Sequence, residues 1–408
     1  LPDECCKNAV SAGCAGFTNP DGSFNVLNNG QFTGFPQCAI DEGSAQAAEG
    51  LADTQSIDPD IDIPSVVRAN IGFVTDFGTE TGFFSNWRLN LDYIYSRFND
   101  TLNWVDLSQT PNPSEGLNGF TVDGRPIYDA IDPSNAGCTA QLQGTGGTPP
   151  VYTNVNAPCF STRRDDEIQL TNGPSFDSHV FSAILSKTFE SGLFTSGGST
   201  RLNFGYAFTD SNNNRNAGSS TATSSYDVTA AFDRQNPAVS TSNFETRHNI
   251  TATVNFREEF FDGYDTNIGV FFRARSGLPY SLTFDGGGVF NDSSSGSDNA
   301  LLYIPTGVND PNLSPDSDPA AVTALLDYLA TSEVGEQCSF NLGESVARNT
   351  CNNDWHFDMD LRFSQELPFL GSLTGIANDR VEVFADFANF LNLLDGGWNV
   401  LRARGEFV

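Results

Sequence analysis

The side chains able to do covalent or metal chemistry in this 408-residue chain are few. There are three histidines, His179, His248 and His356, so a nucleophile–base–acid triad has little to draw on. No G-x-S-x-G elbow occurs, and Gly286-Gly287-Gly288 is followed by neither the Lys nor the helix of a phosphate-cradling loop. Carboxylate pairs suited to general acid–base work occur at Glu258-Glu259, Asp165-Asp166 and Asp358/Asp360. Among 51 acidic residues such pairs arise by chance. Alternation also places Asp358 and Asp360 together on one polar face. We expect no catalytic residue and no enzyme. The acidic, oxygen-rich loop carrying Asp285, Asp292 and Asp298 is the one candidate metal site, since hard oxygen ligands at short spacing around a glycine can wrap calcium. Its spacing departs from an EF-hand loop and no bidentate Glu follows, so calcium is the only cofactor entertained.

Eight cysteines remain: Cys5, Cys6, Cys14, Cys38, Cys138, Cys159, Cys338 and Cys351. None makes a CxxC pair and no His accompanies a pair, which points away from zinc and towards disulfides formed in an oxidising compartment. Nearest-neighbour pairing gives Cys138–Cys159 and Cys338–Cys351. The four N-terminal cysteines allow three connectivities, among which sequence does not choose.

The formal charge is −31, from 51 acidic residues against 20 basic ones, and only Lys7 and Lys187 are lysines. That excludes nucleic acid as a partner, because a phosphate-binding surface needs clustered cations. Much of the excess acid falls in long loops and on the polar faces of strands. The chain does not start with Met, which reads as a processed chain or a fragment. No apolar run reaches the 18 residues of a membrane-spanning helix, but a closed barrel also satisfies its backbone in a bilayer.

The elements that must position these residues are strands. Apolar and polar side chains alternate in 67–73, 87–93, 202–208, 250–256 and 357–363, and more loosely in 176–189, 267–274 and 380–387. A period of two puts one face against an apolar medium and the other against a polar one. The polar face holds Arg68, Arg88, Asp92, Asp358, Asp360, Arg362 and Glu382, more charge than a sandwich interior tolerates. Short links near 77–84, 189–194, 260–265 and 367–379 alternate with long Gly/Ser/Asn/Asp-rich loops at 1–62, 107–165, 209–242 and 285–350. Seven of the eight cysteines lie in the long loops, and Cys351 immediately follows the last of them. Such lopsided connections are the layout of an outer-membrane barrel. The expected fold is all-β: an antiparallel transmembrane β-barrel segment over 63–408, about eight strands, behind a disulfide-bearing extracellular loop at 1–62. Aromatic residues near strand ends, among them Trp87, Tyr93, Tyr95, Trp104, Trp355 and Trp398, suit interfacial girdles, with His179 and His248 in the same setting or in the lumen. One helix is expected at 320–329, opened by Asp318-Pro319.

An ordered set of short segments between about 64 and 408 resembles the C-terminal barrel region of TonB-dependent outer-membrane receptors of the Oar-like group. These are Asp123-Gly124-Arg125-Pro126-Ile127-Tyr128, Phe244-Glu245-Thr246-Arg247-His248-Asn249, Arg275-Ser276-Gly277-Leu278-Pro279-Tyr280-Ser281, Asp298-Asn299-Ala300-Leu301-Leu302-Tyr303-Ile304-Pro305, Ala347-Arg348-Asn349, Gln365-Glu366-Leu367-Pro368 and Phe387-Ala388-Asn389-Phe390-Leu391-Asn392-Leu393-Leu394. The resemblance implies a 22-stranded barrel with an N-terminal plug, energised from the inner membrane through TonB. Plug, TonB box and early strands have no counterpart here. The implied function is capture and import of a ligand at the cell surface, with outer-membrane lipid and the TonB complex as partners. The competing expectations are an anchored surface protein whose acidic loops hold a partner protein, and a passive porin-like channel. The ligand is not legible; basic residues at Arg163-Arg164 and Arg273/Arg275 are local exceptions to the acidity.

Overall fold

The computed structural model describes residues 27–28, 31–32, 54–145, 148–161, 167–215, 221–284, 290, 299–368 and 380–396. Its centre is one antiparallel sheet whose eight long strands follow one another in sequence order. They are β1 (Ser65–Phe77), β2 (Trp87–Asn99), β3 (Phe176–Phe189), β4 (Ser199–Asn213), β5 (His248–Phe261), β6 (Tyr264–Arg275), β7 (His356–Pro368) and β8 (Arg380–Phe387). Each contains one of the eight alternating segments. A ninth strand, Ser240–Thr241, adds to the loop end of β4. Among the described residues β1 and β8 each pair on one side only.

The register sorts the side chains into two continuous faces. One cross-strand row runs Phe73, Leu91, Ala183, Tyr206, Ile250, Ala274 and Phe357, and the rows beside it carry Ile71, Tyr93, Phe181, Phe208 and Phe204, Leu185, Leu89. This apolar face is uncovered: Ile71 is 71% exposed, Phe73 55% and Phe363 43%. The opposite face carries eight arginines, Arg68, Arg88, Arg201, Arg257, Arg273, Arg275, Arg362 and Arg380. Against them stand nine carboxylates, Asp76, Asp92, Glu259, Asp265, Asp358, Asp360, Glu366, Glu382 and Asp386. The polar wall is thus almost neutral, which corrects the expectation that it holds part of the acid excess. That excess lies outside the sheet.

The apolar face stops at polar residues at both ends. Asp177 and Lys187 bound it on β3, Asp210 and Thr200 on β4, His248 and Glu258 on β5, each pair ten residues apart. The two charges at the short-turn end are covered by the turns themselves. Lys187 Nζ donates to the Ser85 carbonyl and, at 2.9 Å, to Ser85 Oγ within turn 78–86, and sits 4.7 Å from the Phe189 ring. The Glu258 carboxylate accepts the backbone N–H groups of Leu193, Phe194 and Thr195 and the Thr195 hydroxyl, all in turn 190–198. Buried ions at the edge of an apolar band are tolerable only when so bonded.

The long connections fold into a second body at the other end of the sheet. Residues Thr54–Ile57 run parallel to Glu167–Gly173, which pairs antiparallel with Thr101–Asp106. A small apolar core gathers Leu301, Ile304, Leu329, Val334 and Val346, backed by Phe232, Leu282 and Phe340. The longest helix of this body is Pro319–Thr331: Asp318 caps it by accepting the Ala320 N–H at 2.9 Å, and Pro319, which has no N–H to lose, opens the first turn. No helix among the described residues is long and apolar enough to cross a membrane.

Candidate functional site: the loop body and the polar wall

Several of the short segments singled out in the sequence join the long loops to one another and to the strands. Arg125 of the Asp-Gly-Arg segment is buried, with its guanidinium 4.9 Å from the Phe232 ring and 4.4 Å from the Phe290 ring. It donates to the Leu301 carbonyl at 2.5 Å and Ser345 Oγ at 2.9 Å, so the 107–165 loop is bolted to the 285–350 loop. Asp123 beside it accepts from Ser345 Oγ at 2.6 Å. Burial works against its charge, yet the Ser345 and Thr121 hydroxyls and the Arg125 cation hold its carboxyl below the usual range. In the Arg275-Ser276-Gly277 segment, Ser276 Oγ accepts the His248 N–H at 3.0 Å, and Gly277 lies so close to the backbone of Asn353 that a Cβ would overlap it. Asn349, at φ 58°, bonds the Thr241 carbonyl at 2.6 Å and Ser281 Oγ at 2.9 Å.

Three more loop arginines are buried. Arg215 donates from Nε to Asn103 Oδ1 at 2.8 Å, and from its terminal nitrogens to the carbonyls of Tyr226, Trp104 and Arg234. Burial, with Arg234 and Arg348 nearby, pushes its pKa down to about 10. Arg234 pairs with Asp227 at 3.1 Å, and the buried Tyr226 ring lies within 6 Å of both Arg215 and Arg234. Arg348 reaches Asn213 Oδ1 at 2.7 Å, and burial takes it also to about 10. Asp310 accepts the backbone N–H groups of Thr306 at 2.6 Å and Asn312 at 2.8 Å, which keep its carboxyl below the usual range.

The cysteine pairs Cys138–Cys159 and Cys338–Cys351 are disulfides in this body, with sequence separations of 21 and 13. Cys5, Cys6, Cys14 and Cys38 lie outside the described residues, as do Asp285, Asp292 and Asp298, the pair Asp165-Asp166 and the basic Arg163-Arg164. Among the described residues no group of three His, Cys, Asp or Glu is arranged to hold a metal. The remaining carboxylate pairs are dispersed or engaged. Glu258 and Glu259 point to opposite faces of β5; Asp358 meets Arg273 at 2.9 Å, and Asp360 accepts the Asn389 N–H at 2.7 Å. His179 bonds the Tyr93 hydroxyl at 2.8 Å, and His248 bonds that of Tyr206 at 2.9 Å while stacking on Trp355 at 5.8 Å. Both imidazoles therefore stand at the loop end of the apolar face. His356 is on the polar face.

Of the open clefts among the described residues, all missed by sequence reasoning, two bear on function. One, of about 400 Å³, lies in the loop body against Ile57, Trp104, Leu170 and Ser225. The other, of about 220 Å³, lies on the polar wall against Arg201, Arg257 and Arg362. The first depends on the pairing of 54–57 with 167–170, for which the sequence offers no local signal. The second was visible only as isolated arginines in alternating strands. Together these features define a class of architecture: an amphipathic antiparallel sheet, apolar on one face and charge-balanced on the other, carrying an arginine-braced and disulfide-braced loop body at one end. Compared with known proteins, the chain matches no family model, no curated protein and no solved structure.

Proposed function

We propose that the sheet is part of an outer-membrane β-barrel and that the protein acts as a TonB-dependent receptor, its loop body capturing a ligand outside the cell for import. The observation that carries this is the uncovered apolar face, eight strands wide and bounded by polar residues ten positions apart on β3, β4 and β5. Ten residues at ~3.3 Å each, tilted by roughly 40°, give a band about 25 Å tall, the height of the lipid-facing belt of such barrels. A soluble monomer seldom leaves so large a contiguous apolar surface open. The charge-balanced face then lines a watery lumen, the His–Tyr and His–Trp contacts lie at the outer interface, and the disulfides face an oxidising exterior. Import rather than anchoring rests on the resemblance of the joint segments to the Oar-like receptors.

The test begins with location. Expressed in a Gram-negative host, the full chain is expected in the outer-membrane fraction. An epitope inserted at the exposed Ser314 should be bound by antibody on intact cells, and one inserted at Glu80 in turn 78–86 only after permeabilisation. Recovery as a soluble periplasmic protein, or both epitopes accessible from outside, would overturn the barrel. Correct location with solute uptake that stops when the proton gradient is collapsed would support the receptor. Uptake indifferent to the gradient would favour the passive channel, and no uptake the anchor.

A further inference from the structure

On the polar wall, one place gathers three arginines with weak or no carboxylate partners. A single cross-strand row runs from Arg201 on β4 to Asn255 on β5, Gly269 on β6 and Arg362 on β7. Arg257 follows Asn255 by two positions on β5 and so shares its face. All three arginines line one cleft of about 220 Å³. The cleft exists because Gly269 leaves a gap in the row. A Cβ there would stand 3.3 Å from Asn255 Oδ1 and 3.8 Å from Arg362 Cβ, directly in the notch.

The ion pairing around the notch is slack. Arg201 has no hydrogen-bond or ion-pair partner among the described residues. Arg257 makes three long contacts of 3.4 Å, to Asp265, Ser199 Oγ and the Gly197 carbonyl, and Arg362 meets both Asp386 carboxylate oxygens at 3.3 Å. Elsewhere on the same face the pairs close to 2.9 Å for Arg88–Asp76, 2.9 Å for Arg273–Asp358 and 2.5 Å for Arg380–Glu366. A guanidinium is a planar fork of N–H donors matched to carboxylate and phosphate oxygens. Three of them with vacant or loosely held donors around a side-chain-free gap make a receptor for an oxyanion. The chain's −31 charge does not oppose this locally. The wall is nearly neutral, and the acidic loop body begins past Arg275, six residues from Gly269 along β6. That is ~20 Å of strand, more than twice the ~8 Å screening length at physiological salt.

We propose that this notch binds the oxyanion of a small solute, a carboxylate or phosphate group gripped by Arg201, Arg257 and Arg362. The proposal deepens the receptor reading, on which it rests for the wall being the lining of a lumen, by naming the class of solute that the lining holds. The test is calorimetric titration of the detergent-solubilised full chain with citrate and with pyrophosphate, which separates carboxylate from phosphate recognition. Saturable binding of at least one is expected. Arg201→Gln, at an exposed position, should weaken it about tenfold, the worth of one charge-assisted hydrogen bond. Gly269→Val fills the gap with a good strand former and should abolish it. Arg88→Gln, on the same face but outside the cleft, should leave it unchanged. The proposal is overturned if neither anion saturates, if Arg201→Gln and Gly269→Val bind as the parent does, or if Arg88→Gln weakens binding equally. Binding of a poly-glutamate peptide without either small anion would also overturn it, reassigning the notch to a docked polypeptide. Circular dichroism of each variant establishes that the sheet is intact. Failure here leaves the protein in the outer-membrane fraction, whereas failure of the receptor reading shows in the fractionation itself.

Discussion

The sheet and the loop body use arginine in opposite ways. On the wall, Arg88, Arg273, Arg362 and Arg380 lie on a polar face and meet carboxylates of the neighbouring strand: Asp76, Asp358, Asp386 and Glu366. In the loop body, Arg125, Arg215, Arg234 and Arg348 are all at least 95% buried, and most of their bonds go to backbone carbonyls. The difference follows from where each region finds its backbone partners. The strands satisfy their own N–H and C=O groups in the ladder, so their arginines are left to balance charge. The loops have only short ladders, so many buried carbonyls there need other donors. Arginine alone offers five N–H groups in a rigid fork, where lysine has one flexible ammonium. A chain with 18 arginines and two lysines suits both uses.

The sharpest way to break this comparison is to remove a buried fork. Arg125→Met keeps volume but strands the Leu301 carbonyl and Ser345 and removes the cation beside Phe232 and Phe290. Charge-assisted bonds are worth about 1.5–3 kcal/mol each, and a stranded buried group adds its own cost, so a loss of about 3 kcal/mol is expected. Hydrogen exchange should show it over 299–346 while β1–β8 keep their protection. Equal loss of protection in the wall would mean that loops and sheet are one cooperative unit. Arg125→Lys should restore little, because the ammonium cannot reproduce the fork.

Acid should reach the same joints by a gentler route. Asp123 and Asp310 have carboxyls held below their ordinary value of 3.8, by hydroxyls and a cation in one case and chiefly by backbone amides in the other. A carboxylate with a depressed folded pKa adds stability above its unfolded pKa and loses it as pH falls through the folded one. The loop body should therefore hold from neutral pH down to about 4 and loosen below that. Exchange rates over 299–346 compared at pH 6 and pH 3 check it, with Asp123→Asn flattening the difference. A wholly flat profile in the parent protein would remove both carboxylates from the account.

What the sequence made legible divides along the same line. All eight wall strands are visible in the alternation, and so is the helix after Asp318, because period two and an Asp-Pro start are local signals that neighbouring strands reinforce. The charged face was legible residue by residue, but not its balance, which needs the register to say which acids share that face. The loop body was read as open loops. Its three-stranded sheet joins 54–57 to 167–170, more than 100 residues away. Its arginines carry no mark of burial, since a charge in a Gly/Ser/Asn-rich stretch reads as solvated. The two disulfides described are those given by nearest-neighbour pairing, because both close short loops. The wall cleft escaped because a glycine in an alternating strand looks like any small residue until its row is known.

The smallest effect should come from the wall. Arg88 and Asp76 are both more than half exposed, with a 2.9 Å contact on the rim of the polar face. Exposed pairs contribute about 0.2–1 kcal/mol, since water and salt serve each ion nearly as well as its partner does. Arg88→Gln should therefore shift the unfolding midpoint barely beyond error, and less still at high salt, where screening removes what remains. The comparison with Arg125→Met is what gives this weight: two arginines, each with a short contact, are expected to differ several-fold in effect because one is solvated and the other is surrounded by carbonyls and rings. If Arg88→Gln costs as much as Arg125→Met, the wall arginines are structural bolts too. The polar face would then be a packed interior rather than a face open to solvent.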